Sequence, residues 1–142
     1  MKLSILILSI ISRADQLNAL RLEIDRQAVD GGFINKVEVL TETDNGEATK
    51  GEKRNRLLSR AKGEYTCFID DDDEISKDYL KLIFARIMPD CCSLTGIYEV
   101  DGKYVGLFEH SVKFSEYKTN DHDYPMFERY PNHLNVIRRE IA

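Results

Sequence analysis

Between Gly51 and Glu74 the chain reads G-E-K-R-N-R-L-L-S-R-A-K-G-E-Y-T-C-F-I-D-D-D-D-E: a basic helix start, a short apolar strand, then four consecutive aspartates. Lys53, Arg54 and Arg56 begin a segment whose apolar positions Leu57, Leu58 and Ala61 suit a helix facing a core, and Gly63 is placed to stop it. Tyr65 to Ile69 is rich in β-branched and aromatic residues and has the length of a buried strand. Asp70, Asp71, Asp72 and Asp73 follow without a spacer, and carboxylates this close repel one another unless solvent or a cation neutralises them. Such a run is ordinarily a solvated loop. Here it stands at the carboxyl end of an apolar strand, where open α/β sheets bind their ligands. Hard oxygen ligands in that place suit Mg²⁺ or Mn²⁺ shared with substrate phosphates. An EF-hand reading fails, because its sixth and twelfth positions are Ile75 and Lys81 instead of Gly and Glu.

Upstream, Leu3 to Ile11 is too short for a membrane span and lacks a cleavage site, so it reads as a buried first strand rather than a signal sequence. Ser12-Arg13-Ala14-Asp15 has capping-box spacing ahead of a helix whose inner face is Leu17, Leu20, Ile24 and Ala28 and which Gly31-Gly32 ends. Val37 to Leu40 supplies a second strand, so strand-helix-strand repeats twice and predicts an α/β fold with three parallel strands. Downstream, Ser76 is placed to cap a third helix carrying Tyr79, Leu80, Ile83, Phe84 and Ile87, with Pro89 beyond it. Cys92 to Val100 and Lys103 to Phe108 flank Asp101-Gly102, a type I′ hairpin signal, and Val112 to Phe114 is a further short strand. Tyr117 to Asn132 shows no period and is expected to be a surface loop or acceptor-side flap.

At 142 residues, 42% apolar and 32% charged, the chain has the make-up of one soluble domain. A net charge of -5 argues against general attraction to nucleic acid, and Arg138-Arg139 alone make a poor phosphate stripe. Cys67, Cys91 and Cys92 are an odd number with an adjacent pair, which suggests neither a disulfide framework nor zinc. A reducing, cytoplasmic setting is the corresponding expectation.

The residues from Gly51 to Asp73 resemble the signature of GT-A-fold, family 2-like glycosyltransferases. Those enzymes carry an Arg-Asn pair, then Ala-x-Gly-Glu-Tyr, then an apolar strand ending in an Asp-x-Asp metal motif. The matching positions are Arg54-Asn55, Ala61 to Tyr65, and Asp70-Asp71-Asp72. The resemblance implies a three-layer α/β/α, Rossmann-like fold with a mostly parallel sheet and an added β-hairpin. It divides the single domain into a donor half over residues 1–88 and an acceptor-side half over 89–142. It further implies transfer of a sugar, with inversion, from a nucleotide-sugar, expected to be a UDP-sugar, to a hydroxyl acceptor on a glycan, lipid, protein or modified nucleobase.

By the same resemblance, Ser12 and Arg13 in the first loop and Glu42 or Asp44 after the second strand hold base and ribose, since a carboxylate accepts from the uracil imide or ribose hydroxyls. Lys50, Lys53 and Arg54 stand where a diphosphate would lie, and cations at a helix start oppose the macrodipole, which marks them as functional. Asp72 would ligate the metal and Asp70 would reach ribose or the metal shell, with Asp71 tuning the site. His133, within Pro131 to Asn135, would complete the shell and favour Mn²⁺ over Mg²⁺, while His110 and His122 read as bystanders.

Inverting transfer needs a carboxylate base, which the resembling family takes from a downstream Glu-Asp motif. This sequence has no such pair, and Asp121 and Asp123 are the substitutes available. Two rival functions follow: a truncated or non-catalytic nucleotide-sugar-binding module completed by a second subunit, and a sugar-phosphate nucleotidyltransferase. The second is disfavoured, because Ser9 to Ala14 is not the Gly-rich, basic loop such enzymes place after the first strand.

Overall fold

The computed structural model describes residues 2–86, 89–120 and 125–142. Strands β1 (Leu3–Ile10), β2 (Val37–Asp44) and β3 (Tyr65–Asp70) are parallel in the order β2-β1-β3, and β8 (Ile137–Arg138) adds antiparallel to β3. Leu3 aligns with both Val37 and Tyr65, so the three parallel strands end along one edge: Ile10 beside Asp44, and Leu8 beside Asp70. The strict alternation of side chains sends Leu3, Ile5, Ile7, Tyr65, Cys67 and Ile69 to one face, against helices α1 (Ala14–Asp30) and α3 (Tyr79–Arg86). Leu6, Leu8 and Phe68 go to the other face, against Leu57 and Ala61 of α2 (Lys50–Arg60). Helix layer, sheet and helix layer make the expected three-layer α/β/α architecture.

A second sheet, ordered β4-β5-β7-β6, contains β4 (Leu94–Val100), β5 (Lys103–His110), β6 (Lys118–Asn120) and β7 (Met126–Arg129). The β4–β5 turn has Asp101 and Gly102 both at positive φ (51° and 71°), as a type I′ turn requires. The two sheets are joined by the segment after Pro131. There the buried Asn135 amide donates to the carbonyls of Cys92 (2.7 Å) and His110 (3.3 Å), while its oxygen accepts from Asn132 N–H (3.0 Å).

Several local expectations are corrected. The Ser12/Asp15 box does not form: residues Ile11–Arg13 make a 3-10 turn, and the N-cap of α1 is Arg13 without a side-chain cap. The capping box lies instead at α2, where Thr49 and Glu52 satisfy each other's backbone N–H groups and the helix starts three residues before Lys53. Strand β2 runs on to Asp44, beyond Leu40. Helix α3 starts at Tyr79, and the side chain of Gln27 in α1 anchors it rather than the hydroxyl of Ser76, bonding the Ser76 carbonyl (2.8 Å) and the Leu80 N–H (3.0 Å). Val112 to Phe114 is no strand, whereas Tyr117 to Asn132 holds β6 and β7. Ile87 lies outside the described residues.

Gly63 does more than stop a helix. A β-carbon there would stand 2.6 Å from the Ser4 backbone nitrogen, and the Gly63 N–H donates to the Ser4 hydroxyl at 2.8 Å. Arg138 and Arg139 are likewise structural. Arg138 pairs with Asp90 (2.8 Å) and Glu64 (3.3 Å), and Arg139 donates to the Gly63 carbonyl (2.7 Å). Cys67 is buried and its thiol is pushed up to about 12 by loss of solvent, so it is an inert core residue.

Candidate donor-binding site at the strand tips

Two acid clusters stand on the carboxyl edge of the first sheet. At the tip of β2, Asp44 accepts from the N–H groups of Gly46 (2.8 Å) and Ala48 (2.9 Å) and from the ammonium of Lys53. Lys53 is itself buried and also donates to the Ser9 carbonyl at 2.8 Å. The hydrogen bond from Lys53 and those from the two backbone groups hold Asp44 down at about 2. The ammonium of Lys53 is therefore turned inward, onto Asp44 and the Ser9 carbonyl. Glu42 faces α2, paired with Arg60 (2.8 Å) and Arg56 (3.3 Å).

At the tip of β3 the first three of the four aspartates separate by direction. Asp71 is buried and accepts from the Ser9 hydroxyl (2.8 Å) and Arg13 (2.8 Å), which locks the first loop to the strand end. Asp72 is half-exposed and also lies on Arg13, at 3.0 Å. Arg13 is raised above its ordinary value by these acids, the Asp71 hydrogen bond foremost. Ser12 is exposed and makes no side-chain hydrogen bond among the described residues. Asp70 points elsewhere, toward His133, with 4.0 Å between its oxygen and Nε2. That separation is an electrostatic contact rather than a hydrogen bond. His133 nonetheless keeps Asp70 below the usual carboxylate range against the opposing pull of burial, with Lys50 and Arg54 adding to it.

The elements explain the convergence. Lys50 and Arg54 are one turn apart on α2, so both look toward the β3 tip. The Arg54 guanidinium lies 5.6 Å over the ring of Phe68, whose other neighbour is the imidazole of His133 at 6.5 Å. Phe68 N–H donates to the His133 carbonyl (2.9 Å), and the side chain of Asn132 takes the Leu134 N–H (3.0 Å); this tight turn presents His133 beside Asp70. His133 Nε2 and Arg54 Nε are buried without hydrogen-bond partners among the described residues.

Asp70, Arg54, Lys50 and His133 thus come together, Asp71, Asp72 and Arg13 form a neighbouring group, Asp44 and Lys53 close on each other, and Glu42 closes on Arg56 and Arg60. Asp121, Asp123 and His122 lie outside the described residues. Phe68 and Ser9 were not anticipated as site residues. Phe68 carried no signal, since an aromatic in a strand reads as core, whereas Thr49-x-x-Glu52 is a legible box that places Lys50 one residue into α2.

Among the described residues no three His, Cys, Asp or Glu side chains are grouped to hold a metal ion. A protein-only cage is not formed. Sites that share Mg²⁺ or Mn²⁺ with substrate phosphates need only one or two protein ligands, and Asp70 with the unpartnered Nε2 of His133 supplies that number.

A three-layer α/β/α fold whose acids and bases gather at the carboxyl edge of its parallel strands defines the open α/β class of protein, in which ligands bind at that edge. Residues 25–142 match the model of glycosyl transferase family 2, and the chain belongs to that family. No curated protein matches it. Among solved structures it is similar to S. aureus TarS 1-349 in complex with UDP, at 19% identity and a TM-score of 0.58, covering 99% of this chain and 48% of that one. The complex of the same protein with UDP-GlcNAc gives 19% identity, a TM-score of 0.55, and 99% and 46% coverage. TarS 1-349 alone gives 20%, 0.56, and 99% and 48%. The likeness is one of fold, and this chain spans about half the length of the TarS chains. The family match begins inside α1, so β1 enters the comparison through the structural likeness.

Proposed function

We propose that this chain is a nucleotide-sugar-binding module of the glycosyltransferase type, taking a UDP-sugar at the tip of β3. The observation that supports it most is the set at that tip: one carboxylate, Asp70, beside an imidazole nitrogen and a guanidinium nitrogen that have no partner among the described residues. Buried donors without acceptors are costly unless a ligand completes them. Lys50 and Arg54 on the first turns of α2 suit the oxygens of a diphosphate, and Arg13 with its two acids stands where the first loop meets the nucleoside. Asp70 and His133 would hold Mn²⁺, which when bound neutralises diphosphate charge.

The fuller reading is metal-dependent, inverting transfer of the sugar to an acceptor hydroxyl. Its favouring observation is the unpartnered His133 Nε2 beside Asp70 among the described residues, but it needs a base. Among the described strand-tip carboxylates, Glu42, Asp44, Asp71 and Asp72 are paired to Arg13, Ser9, Lys53, Arg56 or Arg60, and Asp70 is directed at His133. Asp73, without a side-chain partner among the described residues, is raised above its usual value by burial and by Asp70 and Asp72. No downstream Glu-Asp pair is present in the sequence. The module reading is accordingly the stronger, with the hydroxyl-activating carboxylate and the acceptor contributed in part by a second subunit or further chain.

Calorimetric titration with UDP, with and without Mn²⁺, tests the proposal. Wild-type protein is expected to bind UDP more tightly with Mn²⁺, and Asp70→Ala to lose about tenfold or more in affinity while staying folded. Failure of the wild type to bind UDP under either condition overturns it. Release of free sugar from UDP-GlcNAc, or its transfer to a hydroxyl acceptor, would promote the module to an enzyme.

A further inference from the structure

Four side-chain atoms among the described residues are shut away from solvent without a hydrogen-bond partner: Arg54 Nε, His110 Nδ1, Arg129 Nε and His133 Nε2. None is an oxygen, and all belong to side chains that are cationic or can become so. A surplus of enclosed nitrogens is the complement of a ligand that brings acceptor oxygens. The donor site accounts for Arg54 and His133. His110 and Arg129 belong to the second sheet and are unassigned.

Their placement is specific. His110 and Arg129 are register partners at the carboxyl ends of the parallel pair β5 and β7, so both side chains leave the same face of that sheet. Phe108, whose ring lies 4.8 Å from that of His110, shares the face, while the acids next in sequence, Glu109 and Glu128, alternate to the opposite one. His110 is only 5% exposed. Its carbonyl accepts from Asn135, two residues from His133, which ties the β5 end to the turn that carries His133, and the Arg129 carbonyl accepts from the Ser111 N–H at 3.0 Å, which ties the β7 end to β5. Burial, then Arg129 and more weakly His133, press His110 below the ordinary imidazole value, with Asn132 opposing. Arg129 stacks 5.5 Å over Tyr130 and makes no ion pair among the described residues.

We propose that Arg129, backed by His110, forms a subsite for a phosphate-type oxyanion on the second-sheet side of the donor cleft. Its placement beside that cleft rests on the donor-binding reading; its chemistry does not. The oxyanion has two possible sources, a phosphate carried by the acceptor or the distal phosphate of the donor's diphosphate, and the test separates them.

Glycerol 3-phosphate is titrated into wild type and Arg129→Gln held in saturating UDP, and UDP and UMP are titrated separately. An acceptor-borne phosphate predicts that glycerol 3-phosphate binds the wild type in the presence of UDP, that glycerol does not, and that Arg129→Gln weakens it about tenfold. A donor-borne phosphate predicts that Arg129→Gln weakens UDP by that factor and leaves UMP unchanged. Constants that all stay within about twofold in the variant overturn the proposal. If Arg129→Gln fails to fold, dicarbonyl modification of Arg129 in the wild type replaces it: protection by glycerol 3-phosphate or UDP supports the subsite, and an unchanged modification rate overturns it. Should wild type bind no UDP, the donor reading fails alone, and glycerol 3-phosphate without UDP still reports on Arg129.

Discussion

The tips of β2 and β3 carry acids at the same edge of one sheet, yet they behave oppositely. At β2 each carboxylate has found protein partners: Asp44 closes on Lys53 and two backbone N–H groups, and Glu42 closes on Arg56 and Arg60. At β3 Asp71 and Asp72 are closed in this way on Arg13, whereas Asp70 faces an imidazole it does not reach. Both tips were acidic in sequence, so charge alone did not tell a structural acid from a binding one. The difference lies in supply. Helix α2 begins beside β2 and delivers Lys53 into the interior there, while its Lys50 and Arg54 overhang β3 without a carboxylate in hydrogen-bond reach among the described residues.

That contrast can be broken at several points. The largest effect is expected in the core that holds the two tips in register: Leu57→Ala, which empties a fully buried position against Leu6 and Leu8, should cost about 2–5 kcal/mol in urea unfolding. Next comes Lys53→Met, which deprives the Ser9 carbonyl of a charged donor and should cost about 2–3 kcal/mol. If unfolding is unchanged, the β2 tip is not a closed structural unit. A reciprocal pair then sharpens the comparison. Asp44→Ala should lower the melting temperature and leave UDP affinity nearly unchanged, whereas Asp70→Ala should do the reverse, and two variants with the same profile would erase the distinction.

The pH dependence of Asp44 is smaller but has a definite sign. Its folded value, about 2, lies below the unfolded 3.8, so its contribution is complete above pH 3.8 and lost as pH falls through about 2. The stability difference between wild type and Asp44→Asn should therefore be constant at neutral pH and shrink between pH 4 and pH 2; a difference that grows on acidification contradicts the Lys53 pairing. The smallest effect belongs to the second sheet. Ile97, 62% exposed on β4, should tolerate Thr within about 0.5 kcal/mol.

Legibility followed the range of the interactions. The first three strands, the inner face of α1, the Asp101-Gly102 turn and the α/β class could all be read, because periodicity and turn chemistry act over a few residues, while the three-layer arrangement came through the family resemblance. Val37 to Leu40 was read short because Glu42 and Asp44 look like loop residues until α2 neutralises them. Strands β6 and β7 were missed because neither has a period of its own. Met126 to Arg129 is a strand only because β5 lies alongside it. Asp70 and His133 were legible as candidates through family resemblance, but the turning of Asp72 to Arg13 was not.

The sequence alone thus determined which segments alternate, where the chain turns, and that an acidic run follows an apolar strand. The tertiary structure decided which of those acids are neutralised internally, and that Asp70, Arg54 and His133 meet although up to 79 residues separate them. The physical reason is that backbone propensity is a property of neighbours along the chain. Whether a charge is paired or left for a ligand depends on which distant donors the packed sheet and helices bring within a few ångströms of it.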